Sequence, residues 1–191
     1  MALNYRHVAV TGPPGVGKTT LIQKIVSKLQ AAGVTCEGFY TQELRQGSKR
    51  VGFDVVTLSG KTGVLARVKA ESGNRREHRV GQYVVDLPAF ESLALPLLRT
   101  QSSSPHILVL DEIGKMEMFS QGFVSGVHQA MLQPHVTLLT TIPVARGKPI
   151  PLVEEIRNCS DILLVNLTRE NRDDCELHDK ILIALTTSLQ K

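Results

Sequence analysis

Short apolar runs alternate with longer amphipathic stretches along most of this chain. Residues 7–11 form a Val-rich run, typical of a buried β-strand, that ends in a glycine-rich loop. In the next segment, residues 19–33, apolar residues recur on one face of a helix, and Gly33 is typical of a helix end. The first 33 residues therefore predict a strand, a loop and a helix, in that order.

A different pattern occupies the next third of the chain. Three β-rich runs, at 35–44, 49–59 and 62–68, follow one another without a helical stretch between them, which predicts an antiparallel meander. The segment "SGKTG" between the second and third runs resembles half of a phosphate-binding loop. Because no helix follows it, we interpret it as a hairpin turn.

The remaining residues return to alternating strands and helices. A charged segment at 71–79 predicts a loop, and residues 82–86 predict a short strand. Asp86 is a suitable N-cap for a helix over 87–100, which Pro96 would kink. The later strands are predicted at 106–111, 135–141 and 161–168, and the later helices at 119–133, 151–158 and 169–190.

This order of elements predicts an α/β fold. A mainly parallel sheet flanked by helices accounts for the alternating parts, and the meander adds an antiparallel extension. No Gly-, Pro- or Ser-rich linker divides the chain, so we expect residues 1–191 to form a single domain.

Composition narrows the class of protein. With 42% hydrophobic and 21% charged residues the balance is that of an ordinary globular domain, and 4% aromatic residues without Trp disfavour stacking on bare nucleic acid. A net charge of +4 suits polyphosphate ligands but is too small to indicate nucleic acid. Three widely separated cysteines predict neither a disulfide framework nor a zinc site, which fits a reducing compartment. With no signal-peptide core and no apolar run near the ~20 residues of a membrane span, we expect a cytoplasmic protein without membrane or nucleic-acid partners.

The glycine-rich loop has the spacing Gly12-x-x-x-x-Gly17-Lys18-Thr19 between a strand and a helix, which is the P-loop pattern. Glycines let backbone N–H groups turn toward an anion, and the first helical turn adds unpaired N–H donors and a positive dipole end. Lys18 brings a charge to the β- and γ-phosphates, and the Thr19 hydroxyl can ligate Mg²⁺. The expected nucleotide contacts here are Gly12, Pro13, Pro14, Gly15, Val16, Gly17, Lys18, Thr19 and, near the α-phosphate, Thr20.

Hydrolysis requires in addition an acid that holds the metal and a group that directs water. Asp111 ends a continuous apolar run, and the carboxyl end of a buried strand is where α/β sheets bind ligands. We predict that Asp111 and Thr19 hold Mg²⁺ and that Glu112 orients or deprotonates the attacking water. Lys18 and Glu112 are thus the predicted catalytic residues.

Other polar positions leave a functional and a structural interpretation open. Arg172, with Asn171, follows the last predicted strand, where P-loop proteins often hold the base; we count Arg172 among the nucleotide contacts, with helix capping as the alternative. Thr141, at the end of a strand, could sense the γ-phosphate. Arg146 and Lys148, in the loop after that strand, could contact the nucleotide or the transition state.

Two further basic features are open in the same way. Lys115, just past Glu112, could face the phosphates or solvent. The arginine-rich segment at 71–79 could be a substrate lid, a partner patch or a solvated face.

Several segments together resemble one known family. They are "GPPGVGKTTL", "GFYTQELRQGSKRVGFDVVTLSG", "VGQYVVDL", "LDEIGKMEMFS", "TTIP" and "LTRENR". They are similar to the cancer-related nucleoside-triphosphatase family, first known from thermophilic microbes, over nearly the whole chain. The resemblance implies a RecA-like P-loop fold and Mg²⁺-dependent hydrolysis of ATP, GTP, CTP, UTP and TTP. It also implies weaker action on diphosphates and a monomer.

Three other functions are each compatible with part of the sequence. "GPPGVGK" is also similar to the loop of small nucleotide and nucleoside kinases, but these need a second, arginine-rich acceptor site, and Glu112 beside Asp111 suits hydrolysis better. A nucleotide-dependent binding switch is the second alternative, although the N-K-x-D motif of guanine switches is missing from "VNLTRENRDD". An AAA-type motor subunit is suggested by "LDEIGKM", but the chain is too short for the usual helical lid domain.

Overall fold

The structure, a computed structural model, describes residues 5–69, 77–99 and 103–190. It begins with strand β1 (His7–Thr11), the glycine-rich loop and helix α1 (Lys18–Ala31), as predicted. The predicted apolar face of α1 is the one that the helix buries. Its buried residues are Leu21, Ile22, Ile25, Val26 and Leu29.

Three long strands follow, joined by tight turns: β2 (Cys36–Gln46), β3 (Lys49–Thr57) and β4 (Thr62–Val68). Each pairs with the next in an antiparallel manner, so the predicted meander is confirmed. The "SGKTG" segment forms the turn between β3 and β4, again as predicted. Two short strands, β5 (Arg79–Val80) and β6 (Tyr83–Val85), continue the antiparallel pairing.

The predicted loop at 71–79 needs one correction. Residues 70–76 lie outside the described residues, but Arg79 is part of β5, because its backbone pairs with Val84 of the neighbouring strand. A two-residue strand has no hydrophobic period of its own, so the pattern of the sequence could not show it.

Strands and helices then alternate. The Asp86 side chain caps the first of these helices by accepting the N–H of Ala89 at 3.1 Å, as predicted. The elements are α2 (Leu87–Leu98), β7 (His106–Asp111), α3 (Gln121–Leu132), β8 (Val136–Ile142), α4 (Pro151–Asn158), β9 (Ile162–Asn166) and α5 (Cys175–Ser188).

The prediction of a helix over 169–190 is wrong at its beginning. Residues 169–173 form turns, in which the Asn171 side chain accepts the N–H of Thr168 at 2.8 Å. The Asp174 side chain caps α5, so the helix starts one residue later. Asn and Asp side chains compete with helical backbone bonds in this way, which favours turns and caps.

Within the described residues, the strands form one nine-stranded sheet in the order β5-β6-β4-β3-β2-β7-β8-β1-β9. In this order across the sheet, the strands β2-β7-β8-β1-β9 pair in parallel and the strands β5-β6-β4-β3-β2 pair antiparallel. The mainly parallel sheet with an antiparallel extension is therefore confirmed. Strand β2 belongs to both parts, since it pairs in parallel with β7 and antiparallel with β3.

Helices cover both faces of the parallel part. Helices α1 and α5 pack on one face, and α2, α3 and α4 pack on the other. The second face contains three fully buried rings, Phe39, Phe90 and Phe123, whose centroids lie 5.2 to 6.1 Å apart. No helix in the described ranges has the length and hydropathy needed to cross a bilayer.

Strands β2 and β7 approach most closely at Gly38. This residue has φ +123°, and a Cβ atom on it would lie 2.0 Å from the carbonyl oxygen of Val109, its partner in β7. No side chain fits at that distance. Gly38 therefore permits the pairing that joins the extension to the parallel sheet. Its partner Val109 lies two residues before Asp111, the last residue of β7.

Replacing Gly38 with Ala should destabilise the protein severely, because the added methyl group overlaps the β7 backbone and the left-handed conformation is itself strained. Gly47→Ala is the matched control: its φ is +61°, but nothing lies within 4 Å of the added atom. We expect roughly 1–2 kcal/mol of lost stability for the control, and a loss beyond about 3 kcal/mol for Gly38→Ala. Urea unfolding measures both values. Equal losses would contradict the role given to the β2–β7 contact.

Candidate active site

The P-loop connects the buried end of β1 to the first turn of α1. Gly17 is the N-cap of this helix, with φ 110°; no side chain caps the helix and no acid lies in its first turn. The first N–H groups of α1 and the positive end of its dipole therefore face the loop, and no carboxylate in the first turn competes for them. At the other end of the loop, Gly12 packs so closely on Leu167 that a Cβ atom would lie 2.5 Å from the Leu167 carbonyl oxygen.

The Lys18 side chain folds back over this loop. Its Nζ atom lies 3.1 Å from the carbonyl oxygen of Gly12 and 3.5 Å from that of Pro13. The ammonium group also lies close enough to Asp111 and Glu112 for its charge to lower the pKa of both carboxyls. The loop lysine and the acid pair, 93 positions apart at their nearest in the sequence, thus meet in one place.

Asp111 is the last residue of β7 and is buried. Burial raises the pKa of its carboxyl, while the hydroxyls of Thr141 and Thr19 and the charge of Lys18 act in the opposite direction. The Thr141 hydroxyl donates a hydrogen bond to Oδ1. Oδ2 has no hydrogen-bond partner within the part of the chain that the structure describes.

A divalent cation suits this arrangement. An unpartnered buried carboxylate oxygen beside the Thr19 hydroxyl matches the oxygen ligands of Mg²⁺, which usually binds through one or two protein groups and keeps several waters. No cluster of three or more His, Cys, Asp or Glu able to hold a metal occurs among the described residues.

Glu112 follows directly and is half-buried. Burial raises the pKa of its carboxyl; the charge of Lys18 lowers it and the charge of Asp111 raises it. The side chain lines an open cleft that Pro14 of the P-loop also borders. Glu112 is thus next to the phosphate loop yet accessible from the cleft, which is the position required of a group that directs water.

A third carboxyl, that of Glu117, belongs to the same site and was missed by the sequence reasoning. Its Oε2 atom accepts the N–H of Gly114 at 2.9 Å, and the side chain is only 4% exposed. Gly114 lies between two acids: a Cβ atom there would be 3.2 Å from Oε1 of Glu112 and 3.3 Å from Oε2 of Glu117. Burial, first of all, raises the pKa of Glu117 to about 8. The only sequence signal was its place at the end of "DEIGKME".

The two residues after β9 for which two interpretations were open differ in their surroundings. Arg172 lies over the P-loop, because its Cδ atom is 3.9 Å from where a Cβ of Gly17 would be. Asn171 closes the local turn through its hydrogen bond with Thr168, which is the structural interpretation. The Thr141 hydroxyl is already engaged by Asp111.

The three basic residues whose role the sequence left open all border the cleft. Lys115, Arg146 and Lys148 all line it and are exposed. Of the basic segment at 71–79, residues 71–76 lie outside the described residues, and Arg79 forms an ion pair with Glu77 at 2.6 Å.

The buried carboxyl of Glu117 should make stability depend on pH. Its pKa is about 8 in the folded chain and near 4.5 in the unfolded chain, so between these values the folded state keeps a proton that the unfolded state has released. The free energy of unfolding therefore falls as pH rises through this window, by at most about 1.4 kcal/mol per pH unit. Glu117→Gln removes this titration. Between pH 5 and pH 8, without metal, we expect the variant to gain at least about 1 kcal/mol relative to the parent.

The exposed acid Glu176 supplies a control, since Glu176→Gln should show a constant difference from the parent over the same pH range. Chemical unfolding at several pH values gives all three curves. Parallel curves for Glu117→Gln and the parent would contradict the buried, proton-holding state of Glu117.

Comparisons with known proteins agree with this geometry. A family model described as NTPase matches residues 7–182. The chain is 58% identical over 173 residues to the cancer-related nucleoside-triphosphatase of Homo sapiens, with 88% of this chain and 91% of that protein covered. It is 39% identical over 166 residues to nucleoside-triphosphatase THEP1 of Thermotoga maritima, with 87% and 88% covered.

Solved structures give the same answer for the fold. The solution structure of the human cancer-related nucleoside triphosphatase matches with a TM-score of 0.83 at 55% identity, covering 96% of this chain and 98% of that one. The crystal structure of THEP1 from Aquifex aeolicus matches with a TM-score of 0.77 at 38% identity, covering 94% and 98%. The resemblance found in the sequence is therefore confirmed, and the chain belongs to the nucleoside-triphosphatase family that these proteins represent.

Proposed function

We propose that this chain hydrolyses nucleoside 5′-triphosphates to the diphosphate and phosphate with Mg²⁺, as a monomeric, cytoplasmic, single-domain enzyme of residues 1–191. We expect broad base tolerance over ATP, GTP, CTP, UTP and TTP, and weaker action on diphosphates. One observation carries the proposal: a buried carboxylate with an unpartnered oxygen, followed directly by Glu112, lies within electrostatic reach of the P-loop lysine. The names of the relatives support the reaction class.

The phosphates are assigned to the loop. The backbone N–H groups of the non-proline residues from Gly12 to Thr19 would surround the β- and γ-phosphates, with Thr20 near the α-phosphate. Lys18 would exchange its two weak carbonyl contacts for phosphate oxygens. The prolines and Gly15 shape the exposed side of the loop, and Val16 anchors it in the core. Arg172, which lies over Gly17, is assigned to the nucleoside end.

Thr19 and Asp111 are assigned to Mg²⁺. The bound ion would neutralise charge that develops on the transferred phosphoryl group. Burial makes the Asp111 carboxylate costly to keep ionised without a cation, so the residue is poised for one.

Glu112 is assigned to the attacking water. The water oxygen forms a bond to the γ-phosphorus while the bond from that phosphorus to the β–γ bridging oxygen breaks, and the released proton passes to the Glu112 carboxylate. Burial raises the pKa of this carboxyl, which makes its ionised form a stronger base than an exposed glutamate. Asp111 is assigned to the metal instead, because its Oδ1 accepts from Thr141 and its unpartnered Oδ2 is the oxygen left for the cation.

A phosphate-release assay over the five triphosphates and their diphosphates, with and without Mg²⁺, tests the proposed reaction. We expect slow release, below the ~10 s⁻¹ median of enzymes, since no arginine among the described residues is placed unambiguously as a finger. Rates for different bases should agree within about 10²-fold.

Lys18→Ala should lose nearly all turnover while staying folded, because its side chain contacts the loop and not the core. Parental turnover in this variant would refute the P-loop assignment, and labelled phosphate on an added nucleoside or monophosphate would identify a kinase instead.

The sharpest test separates Glu112 from Asp111. Glu112→Gln keeps the shape of the side chain but loses its charge and basicity, so it should bind Mg²⁺-triphosphate with near-parental affinity and hydrolyse it at least ~10²-fold more slowly. Asp111→Asn should instead lose affinity and Mg²⁺ dependence together. Titration with a non-hydrolysable triphosphate, beside single-turnover kinetics, measures both properties. A full single-turnover rate in Glu112→Gln would mean that another group directs the water.

A further inference from the structure

The cleft beside Glu112 lies on the opposite side of the P-loop from the expected nucleoside. Strand β1, which leads into the P-loop, lies between β8 and β9 in the sheet. Arg172 and the end of β9 lie on one side of it. The cleft lies on the other side, against the residues that follow β7 and β8, and it measures about 630 Å³. A triphosphate bound with its base toward Arg172 therefore leaves this space unfilled.

Apolar side chains make most of the cleft wall. The antiparallel extension supplies Phe53, Leu65 and Val80, and the loop after β8 supplies Val144 and Ile150. Cavities of this size with mostly apolar walls and a few polar groups are typical of small-molecule sites. The extension thus has a use beyond stability, since it forms one wall of a ligand-sized space.

Three of the cations that line the cleft have no partner within the described residues. Lys115, Arg146 and Lys148 are exposed and have no hydrogen-bond or ion-pair partner among the described residues. The acid Glu154 is already paired with Arg157 at 3.4 Å. The other two acids on the described lining are less accessible than the three cations, since Glu112 is half-buried and Glu117 is buried.

We propose that this cleft is a second ligand site, which binds a small organic anion with an apolar, ring-sized body. The apolar walls contributed by the extension and by the loop after β8 would hold the body, and Lys115, Arg146 and Lys148 would hold the anionic group. The binding itself does not depend on the proposed function. One consequence does rest on it: a molecule in the cleft lies against Glu112 and displaces the attacking water, so it slows hydrolysis.

A pair of fluorescent probes with similar aromatic bodies tests the site directly. 8-Anilinonaphthalene-1-sulfonate is an anion, and N-phenyl-1-naphthylamine is its neutral counterpart. Titrated against the full-length protein saturated with Mg²⁺ and a non-hydrolysable triphosphate, the anion should bind at least about tenfold more tightly than the neutral probe. Displacement of the anion by the triphosphate would place it in the nucleotide site and overturn the proposal.

Three variants locate the binding. The double variant R146E/K148E should weaken the anion by at least about tenfold and leave the neutral probe unchanged. Val144→Trp fills the cleft and should weaken both probes; Val80→Trp, on the opposite wall, replaces it if the first variant has a lowered unfolding midpoint. K28E/K180E makes the same charge change at two exposed lysines outside the cleft and should alter neither probe. Equal anion binding in R146E/K148E and K28E/K180E, or no effect of either tryptophan, would overturn the proposal.

Phosphate release in the presence of the anion completes the test. In the parent, saturation with the sulfonate should reduce hydrolysis at least about tenfold, and Val144→Trp should be less sensitive. Unchanged hydrolysis at saturating sulfonate would show that the bound molecule does not reach the water, which refutes the contact with Glu112. Probe binding that follows the predictions in a chain without hydrolysis would leave the second site standing and refute the proposed function alone.

Discussion

The pairing of β2 with β7 is the contact on which the rest of the molecule depends. β2 is the strand at which a parallel sheet becomes an antiparallel one, so the two parts of the fold share its backbone. Gly38 allows the two strands to approach closely enough for this pairing. The same strand β7 carries Asp111 at its end. The register of one strand pair therefore sets both the place of the acid pair and the place of the extension relative to it.

Around that strand end, the protein places three carboxyls in surroundings that disfavour their charged forms. Burial is the first cause of the raised pKa of Asp111, Glu112 and Glu117 alike. The charge of Lys18 opposes this rise in pKa for Asp111 and Glu112. Glu117 keeps its proton, and its Oε2 atom accepts the N–H of Gly114. Such a site is stable only if part of its charge is neutralised, by protonation or by a cation. The proposed Mg²⁺ supplies the second of these.

The P-loop divides the carboxyl edge of the sheet into two regions with different chemistry. Toward β9 there are backbone donors and Arg172, which suit a nucleotide. Toward β7 and β8 there is an apolar cleft with unpaired cations, closed on its outer side by the extension. Glu112 faces the second region while it stays within reach of Lys18. In our proposals, this one side chain couples the chemistry in the first region to the occupant of the second.

Features that depend on residues close together in the chain could be predicted from the amino-acid sequence. Hydrophobic periodicity predicts the five buried positions of α1 and the run of β7, and capping preference predicts the cap at Asp86. Both signals involve only residues close together in the chain. The P-loop is likewise a local pattern, so its residues could be named before the fold was known. The start of α5 was wrong because the turn around Asn171 depends on side-chain hydrogen bonds that compete with the helix.

Features that depend on contacts between distant residues could be seen only in the folded chain. The double role of β2 is invisible in a period of two, because alternation shows that a strand exists but not which strands lie beside it. Arg79 became a strand residue through a partner strand. The environment of Glu117 depends on Gly114 and Glu112, which fold against its buried side chain. The cleft exists because the extension, far away in sequence from β8, packs opposite the loop that follows that strand.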